Sequence, residues 1–124
     1  MGSRLWTVVV DAHDPASLAR FWASVLDWTI FYESATEVVI TKDDKTFPGL
    51  VFVPVPESKT IKNRLHLDFR PDDRDAEVER LLGLGAVRVD IGQGEQSWVV
   101  LADPEGNEFC VLSSRPPTAS RPHP

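Results

Sequence analysis

Apolar and polar residues follow two different periodicities in the first half of the chain. Residues 5–11 are mostly apolar and β-branched, which predicts a strand with at least one buried face. Asp14 and Pro15 then supply a favoured N-cap and a favoured first helical residue. Apolar residues recur after them at the spacing of one helix face, so a helix is predicted over residues 15–26. Its apolar face is Leu18, Phe21, Trp22, Val25 and Leu26. Three further strands are predicted after the helix, at 29–33, 37–42 and 49–55.

The same order of patterns returns in the second half, after a polar segment at residues 57–62 that is predicted to be a linker. A strand comes first, followed by a helix that ends at glycines, because glycine tolerates the left-handed conformation. Strands are predicted at 64–69, 87–91, 97–101 and 108–113. The helix between the first two of these strands is opened by Pro71, Asp72 and Asp73 and ended by Gly83 and Gly85. Its apolar face is Val78, Leu81 and Leu82.

Both halves therefore consist of a strand, a helix and three strands. This duplication predicts an α+β fold of two βαβββ modules, at about residues 4–56 and 63–114, within a single domain spanning 1–114. Neither predicted sheet can bury both of its faces alone, so the two are expected to combine into one cupped, mixed β-sheet around a cleft. Residues 115–124 contain four prolines and no apolar cluster, and are predicted to be a disordered tail.

Composition excludes several classes of function. The chain has 124 residues and a net charge of −6, with 19 acidic and 13 basic residues. Because it is acidic and has no stripe of Lys and Arg, a nucleic-acid partner is not expected. No apolar run approaches the roughly 20 residues that cross a bilayer, so no membrane association is expected. The single cysteine, Cys110, excludes an internal disulfide. Without a signal-peptide pattern at its start, the sequence is typical of a cytoplasmic protein.

Three segments of the sequence resemble the glyoxalase-like domain branch of the vicinal oxygen chelate superfamily. They are HDPASLARFWASVLDW at 13–28, RLHLDFRPDD at 64–73 and LADPEGNEFCVL at 101–112, and Asp27 stands where the first segment usually has Gly. This superfamily includes glyoxalase I, extradiol dioxygenases and bleomycin-binding proteins. The resemblance implies the glyoxalase/bleomycin resistance/dioxygenase fold, a small-molecule ligand and a homodimer.

The resemblance also implies where a metal would bind. Metal enzymes of the superfamily place one ligand on the first and last strand of each module. The matching positions here are Thr7 (or Val9 after a slip of two residues), Phe52, His66 and Cys110. Because only His66 is a good ligand for a catalytic divalent ion and Cys110 a possible one, we expect no cofactor and no tightly bound metal.

Six residues are candidates for contact with a ligand: Thr7, Phe52, His66, Trp98, Glu108 and Cys110. Phe52 and Trp98 suit the wall of a cleft but equally suit a core. Glu108 could restore part of a metal site by a register slip, or it could support the neighbouring turn by hydrogen bonding. Cys110 is more typical of a small buried apolar residue than of a nucleophile, which would need a positive neighbour such as His66.

His66 and Asp68 form the candidate catalytic pair. They lie two residues apart in a predicted strand, so their side chains share one face together with Arg70. A histidine oriented by a carboxylate is a suitable acid or base near neutral pH. The same pattern also fits an imidazole that is hydrogen-bonded to Asp68 for structural reasons alone.

Two functions therefore remain open. The first is binding of a small organic molecule in the cleft, without the usual catalytic metal. The alternative is a metal-dependent lyase, isomerase or dioxygenase acting on a small oxygenated metabolite, with the ion stabilising negative charge on vicinal oxygens.

Overall fold

The computed structural model describes residues 2–90, 92 and 97–114. These residues form two compact units, one ending at Lys59 and the other beginning at Thr60. The predicted tail at 115–124 and the end of the strand predicted at 87–91 lie outside the described residues. We refer to the two units as module 1 and module 2.

Module 1 has a four-stranded mixed sheet in the order β1-β4-β3-β2, with β1 parallel to β4 and the other neighbours antiparallel. Helix α1 packs on this sheet, and its apolar face is buried. The elements are β1 (Thr7–Ala12), α1 (Pro15–Leu26), β2 (Thr29–Glu33), β3 (Val38–Thr41) and β4 (Gly49–Pro54).

The ends of α1 are set by single residues. The carboxylate of Asp14 accepts hydrogen bonds from the Ser17 hydroxyl at 2.9 Å and the Ser17 backbone N–H at 3.2 Å. These two bonds lower the pKa of Asp14 and satisfy one of the unpaired N–H groups of the first turn. At the other end Asp27 adopts the left-handed conformation with φ of 56°, a position usually taken by glycine. The helix therefore begins and ends where the sequence predicts.

Module 2 repeats this topology with the sheet order β5-β8-β7-β6, in which β5 is parallel to β8. The carboxylate of Asp73 accepts from the Ala76 N–H at 3.1 Å and caps the second helix, and Gly85 ends it with φ of 119°. The elements are β5 (Leu67–Phe69), α2 (Arg74–Leu84), β6 (Val87–Arg88), β7 (Val99–Ala102) and β8 (Glu108–Val111).

The α+β fold with two βαβββ modules is thus confirmed, although some boundaries differ from the predicted ones. Strand β5 begins at Leu67 and not at residue 64, so His66 lies just before it. Gly83 lies within α2, and only Gly85 takes the left-handed conformation that ends the helix. The joining of both sheets into one cupped sheet around a cleft stays a prediction.

The loop between β7 and β8 is organised by a buried carboxylate. Asp103 is 2% exposed and accepts hydrogen bonds from the backbone N–H groups of Glu105 and Asn107 at 2.9 and 3.0 Å. The Asn107 side-chain amide adds two more bonds, at 3.0 and 3.2 Å. Because these four hydrogen bonds come from within the turn, Asp103 fixes the entry of β8 and hence the position of Glu108 and Cys110.

Candidate ligand-binding faces

The sheet of module 1 has one face against α1 and one face that no helix of the module covers, which we call its helix-free face. Val10 on β1 pairs with Phe52 on β4, and Phe52 pairs with Val38 on β3, so the three side chains lie on the same face. Phe52 and Val38 are buried, which identifies this face as the one against α1. Since side chains alternate along a strand, Thr7 and Val9 point to the opposite, helix-free face.

This alternation corrects the predicted placement of Phe52. Its side chain is 0% exposed and belongs to the module core, on the opposite face from Thr7. On the Thr7 face, β4 instead carries Gly49 and Val51, which pair with Thr7 and Val9. Of the two environments open to Phe52 from the sequence, cleft wall or core, the structure gives the core.

The helix-free face of module 1 is mainly aliphatic. Val9 is 56% exposed, and Val51 lies directly beside it in the ladder, half-buried. Val39 pairs with Val51 from β3 and extends the same surface. Polar groups lie at its margins, where β1 adds the Thr7 hydroxyl and the exposed Asp11 carboxylate.

The corresponding helix-free face of module 2 carries more polar groups. Asp68, Cys110 and Val100 form one row across β5, β8 and β7, and Glu108 and Ala102 form the next. An apolar cluster lies on this face: Val100, Cys110 and Leu112 are buried, and Val89 and Trp98 pack against them. The opposite face carries Phe109, which packs edge-on against Phe69 with ring centroids 5.8 Å apart.

Cys110 lies beside an acidic residue, and the basic Lys62 affects its thiol less than burial and that acid do. The thiol is buried and donates a hydrogen bond to the carboxylate of Asp68, its direct partner in the ladder. Burial, the negative charge of Asp68 and this hydrogen bond raise the pKa of Cys110 to about 11. At neutral pH the group is a thiol, which agrees with the structural role favoured from the sequence.

His66 and Asp68 lie two residues apart but are not joined by a hydrogen bond. His66 is half-buried and Asp68 is exposed. Among the hydrogen bonds and ion pairs of the described residues, none connects the His66 imidazole with the Asp68 carboxylate. The partner of Asp68 in the structure is thus Cys110, whereas His66 was predicted. A catalytic role for His66 stays a prediction.

Glu108 holds the segment that leads into β5. One carboxylate oxygen accepts from the Asn63 backbone N–H at 2.9 Å, and the Asn63 amide donates to the Glu108 backbone carbonyl at 3.3 Å. The sequence predicted a supporting hydrogen bond to the turn before β8, but that turn is held by Asp103. The bond from Asn63 connects residues 45 positions apart, which no local pattern could reveal.

Trp98 lies at the edge of the apolar cluster of module 2, partly buried. Its indole Nε1 is buried and, within the part of the chain that the structure describes, has no hydrogen-bond partner. The ring packs against the buried residues of this cluster.

The family of the chain is decided by comparison with known proteins. The model of the glyoxalase-like domain family matches residues 7–112. The chain belongs to this family. No functionally curated protein matches it.

Solved structures with the same fold include several members of the glyoxalase/bleomycin resistance/dioxygenase group. A protein of this group from Burkholderia phytofirmans superposes with a TM-score of 0.70 at 19% identity, over 88% of this chain and 97% of the other. Glyoxalase I of Leishmania major gives 0.65 at 13% identity, over 91% and 88%. The bleomycin resistance determinant of transposon Tn5 gives 0.60 at 17% identity, over 92% and 100%. At these identities the likeness shows the fold alone.

The donor groups of this glyoxalase-like chain do not fit the divalent metal of the family's enzymes. In module 1 the strand positions on the helix-free face hold the Thr7 hydroxyl and the aliphatic Val51, neither of which is a useful ligand. In module 2 the fourth position holds the buried Cys110 thiol, where a catalytic divalent ion of this kind calls for an imidazole or carboxylate. Among the described residues, no three His, Cys, Asp or Glu side chains come together as a metal-binding group.

Neither described helix of this family member has both the length and the apolar character needed to cross a bilayer.

Proposed function

We propose that this glyoxalase-like protein binds a small organic molecule on a helix-free face, without a divalent metal. The observation that carries the proposal is the aliphatic surface of module 1, where Val9 is 56% exposed beside Val39 and Val51. A contiguous apolar surface with polar groups at its margin is typical of a small-molecule site. The Thr7 hydroxyl and the Asp11 carboxylate supply the polar margin.

The donor chemistry favours binding over the metal-dependent alternative. A lyase, isomerase or dioxygenase of the metal-dependent type needs an ion with at least three protein ligands and an open position. The resemblance implies Thr7 and Phe52 as the ligand positions of module 1, and neither side chain is a useful ligand; Val51, which lies on the helix-free face of the same strand, is aliphatic. Proteins with this fold include a glyoxalase I and a bleomycin resistance determinant.

Two further properties belong to this proposal. A homodimer is expected because members of the superfamily commonly dimerise. A cytoplasmic location is expected because the only cysteine is a buried thiol with no partner for an internal disulfide.

The proposal is tested by a ligand screen read by thermal shift and tryptophan fluorescence. Compounds that raise the melting temperature are then tested on Val9→Lys, which places a charge on the aliphatic surface. Leu84→Lys is the matched control, because Leu84 is 40% exposed at the end of α2. We expect Val9→Lys to weaken binding at least tenfold and Leu84→Lys to leave it within twofold.

Two results would contradict the proposal. One is a broad library of apolar and aromatic compounds that yields no compound that stabilises the protein. The other is a set of bound compounds whose affinities respond equally to the substitutions at Val9 and at Leu84.

A further inference from the structure

A bulge in the edge strand β2 decides which face of module 1 carries Tyr32. The ladder with β3 shifts between Ile30 and Tyr32, so Phe31 is an extra residue that opposes no residue of its own. An extra residue in one strand reverses the alternation of side chains beyond it. Tyr32 therefore pairs with Val39, whereas regular pairing would have placed it opposite the buried Val38.

An ion pair to α1 independently gives the same orientation. Glu33 pairs with Val38, and its carboxylate accepts from the Arg20 guanidinium of α1 at 2.9 Å. The Glu33 side chain therefore points to the face that carries the helix. Since neighbouring residues of a strand point to opposite faces, Tyr32 points to the helix-free face.

Tyr32 completes a row of side chains across all four strands of the module 1 sheet. The row runs from Val9 through Val51 and Val39 to Tyr32, because each residue pairs directly with the next. Its ends are the most open, since Val9 is 56% and Tyr32 51% exposed, and the two valines between them are half-buried. With strands about 4.8 Å apart, the row is about 14 Å long. An extended molecule can therefore contact accessible side chains along the whole row.

The charge of this face is negative. The four strands of module 1 contain no Lys, Arg or His. Asp11 is exposed on β1, on the same face as Val9, whereas Glu33 lies on the opposite face. The face of an aromatic ring attracts other aromatic rings and cations. Together, the Tyr32 ring and the Asp11 carboxylate favour planar aromatic molecules that carry no negative charge.

We propose that Tyr32 is the aromatic contact of the module 1 site and selects a planar aromatic ligand without negative charge. The ligand ring stacks on Tyr32, and the rest of the molecule lies over Val39 and Val51 toward Val9. This inference rests on the proposed function, because it names the ligand class of the same face. The bulge at Phe31 makes the contact possible, as bulges do where they re-aim a side chain beside a binding site.

Tyr32 is the only tyrosine of the chain, so a single fluorine label reports on this contact. Full-length protein that contains 3-fluorotyrosine should give one fluorine resonance. We expect this resonance to shift on titration with thioflavin T, a planar aromatic cation. The aromatic anion 8-anilinonaphthalene-1-sulfonate should bind more weakly and shift it less.

Two substitutions separate the ring from apolar surface in general. Tyr32→Leu keeps an apolar side chain but removes the ring, and should weaken thioflavin T binding about fivefold or more. Tyr32→Phe is the matched control, because it keeps the ring, and should leave the affinity within about twofold of the wild type. The fluorine measurement needs no substitution, so it decides the question even if Tyr32→Leu does not fold.

The possible failures are distinct. Thioflavin T binding that Val9→Lys weakens, without a shift of the Tyr32 resonance, would overturn the role of Tyr32 and leave the proposed function standing. Equal losses in Tyr32→Leu and Tyr32→Phe, or tighter binding of the anion, would overturn it as well. So would a resonance that shifts with protein concentration in the absence of dye, because a second copy would then cover Tyr32. Absence of thioflavin T binding would overturn the ligand class, and together with a failed ligand screen it would overturn both proposals.

Discussion

The Cys110 thiol makes the stability of the protein depend on pH in the alkaline range. Its pKa is about 11 in the folded protein, against an ordinary value of 9.0 that the unfolded chain should show. As pH rises from 9 to 11, the unfolded state releases the proton first, so ionisation favours unfolding. We expect this group to reduce the free energy of unfolding over that window by at most about 2–3 kcal/mol.

Urea denaturation at intervals between pH 8 and 11 measures this effect. Cys110→Ser is the comparison, because its hydroxyl can still donate to Asp68 but does not titrate. The wild-type free energy of unfolding should fall more steeply with pH than that of the variant. Parallel pH profiles for the two proteins would show that the thiol is not responsible.

Asp103 is the residue whose loss should destabilise the second module most directly. Its buried carboxylate holds the turn before β8 through Glu105 and Asn107. Asp103→Ala leaves those donors without their acceptor and should cost about 2–4 kcal/mol of unfolding free energy. The exposed Asp75, replaced by Ala as control, should change it by no more than about 0.5 kcal/mol. A cost below about 1 kcal/mol for Asp103→Ala would contradict this account.

At the scale of elements, the two helices end in the same conformation with different residues. Asp27 ends α1 with φ of 56°, and Gly85 ends α2 with φ of 119°. A residue with a Cβ atom is strained there, so Asp27→Gly should stabilise the protein by about 0.5–1 kcal/mol. Gly85→Ala should destabilise it by about 1 kcal/mol, because the added Cβ meets only Pro104 Cγ at 3.6 Å and the cost is conformational. Urea midpoints that move in the same direction for both variants would refute this explanation.

The sequence predicts an element well when the residues that determine it lie close together in the chain. Helix α1 lies where it was predicted because Asp14, Pro15 and the apolar face all act within one segment. The face on which Phe52 lies could not be predicted, because a shift of one residue in counting reverses the face of a strand. The register of β4 is set by parallel pairing with β1, about 40 residues earlier in the chain. The pairing of Asp68 with Cys110 is equally non-local.

At the scale of the whole molecule, duplication preserves the topology of the modules while their helix-free faces differ. The row Val9–Val51–Val39 in module 1 corresponds in topology to Asp68–Cys110–Val100 in module 2. Both rows cross the first, last and third strand of their module. One is aliphatic and the other begins with a carboxylate. The exposed side chain of this row is the apolar Val9 in module 1 and the charged Asp68 in module 2.

From the side chains at the metal positions of the two modules, we expect the protein not to retain a divalent metal. At the strand positions where the resemblance implies ligands, module 1 has Thr7 and the buried Phe52, and module 2 has His66 and the buried Cys110 thiol. After incubation of the tag-free protein with Mn²⁺, Fe²⁺, Ni²⁺ or Zn²⁺ and desalting, elemental analysis should find well below one metal ion per chain. Cys110→Glu supplies a carboxylate but leaves module 1 without ligands, so it should not create tight binding. Retention of about one ion per wild-type chain, lost in His66→Ala, would contradict this expectation and restore the metal-dependent enzyme.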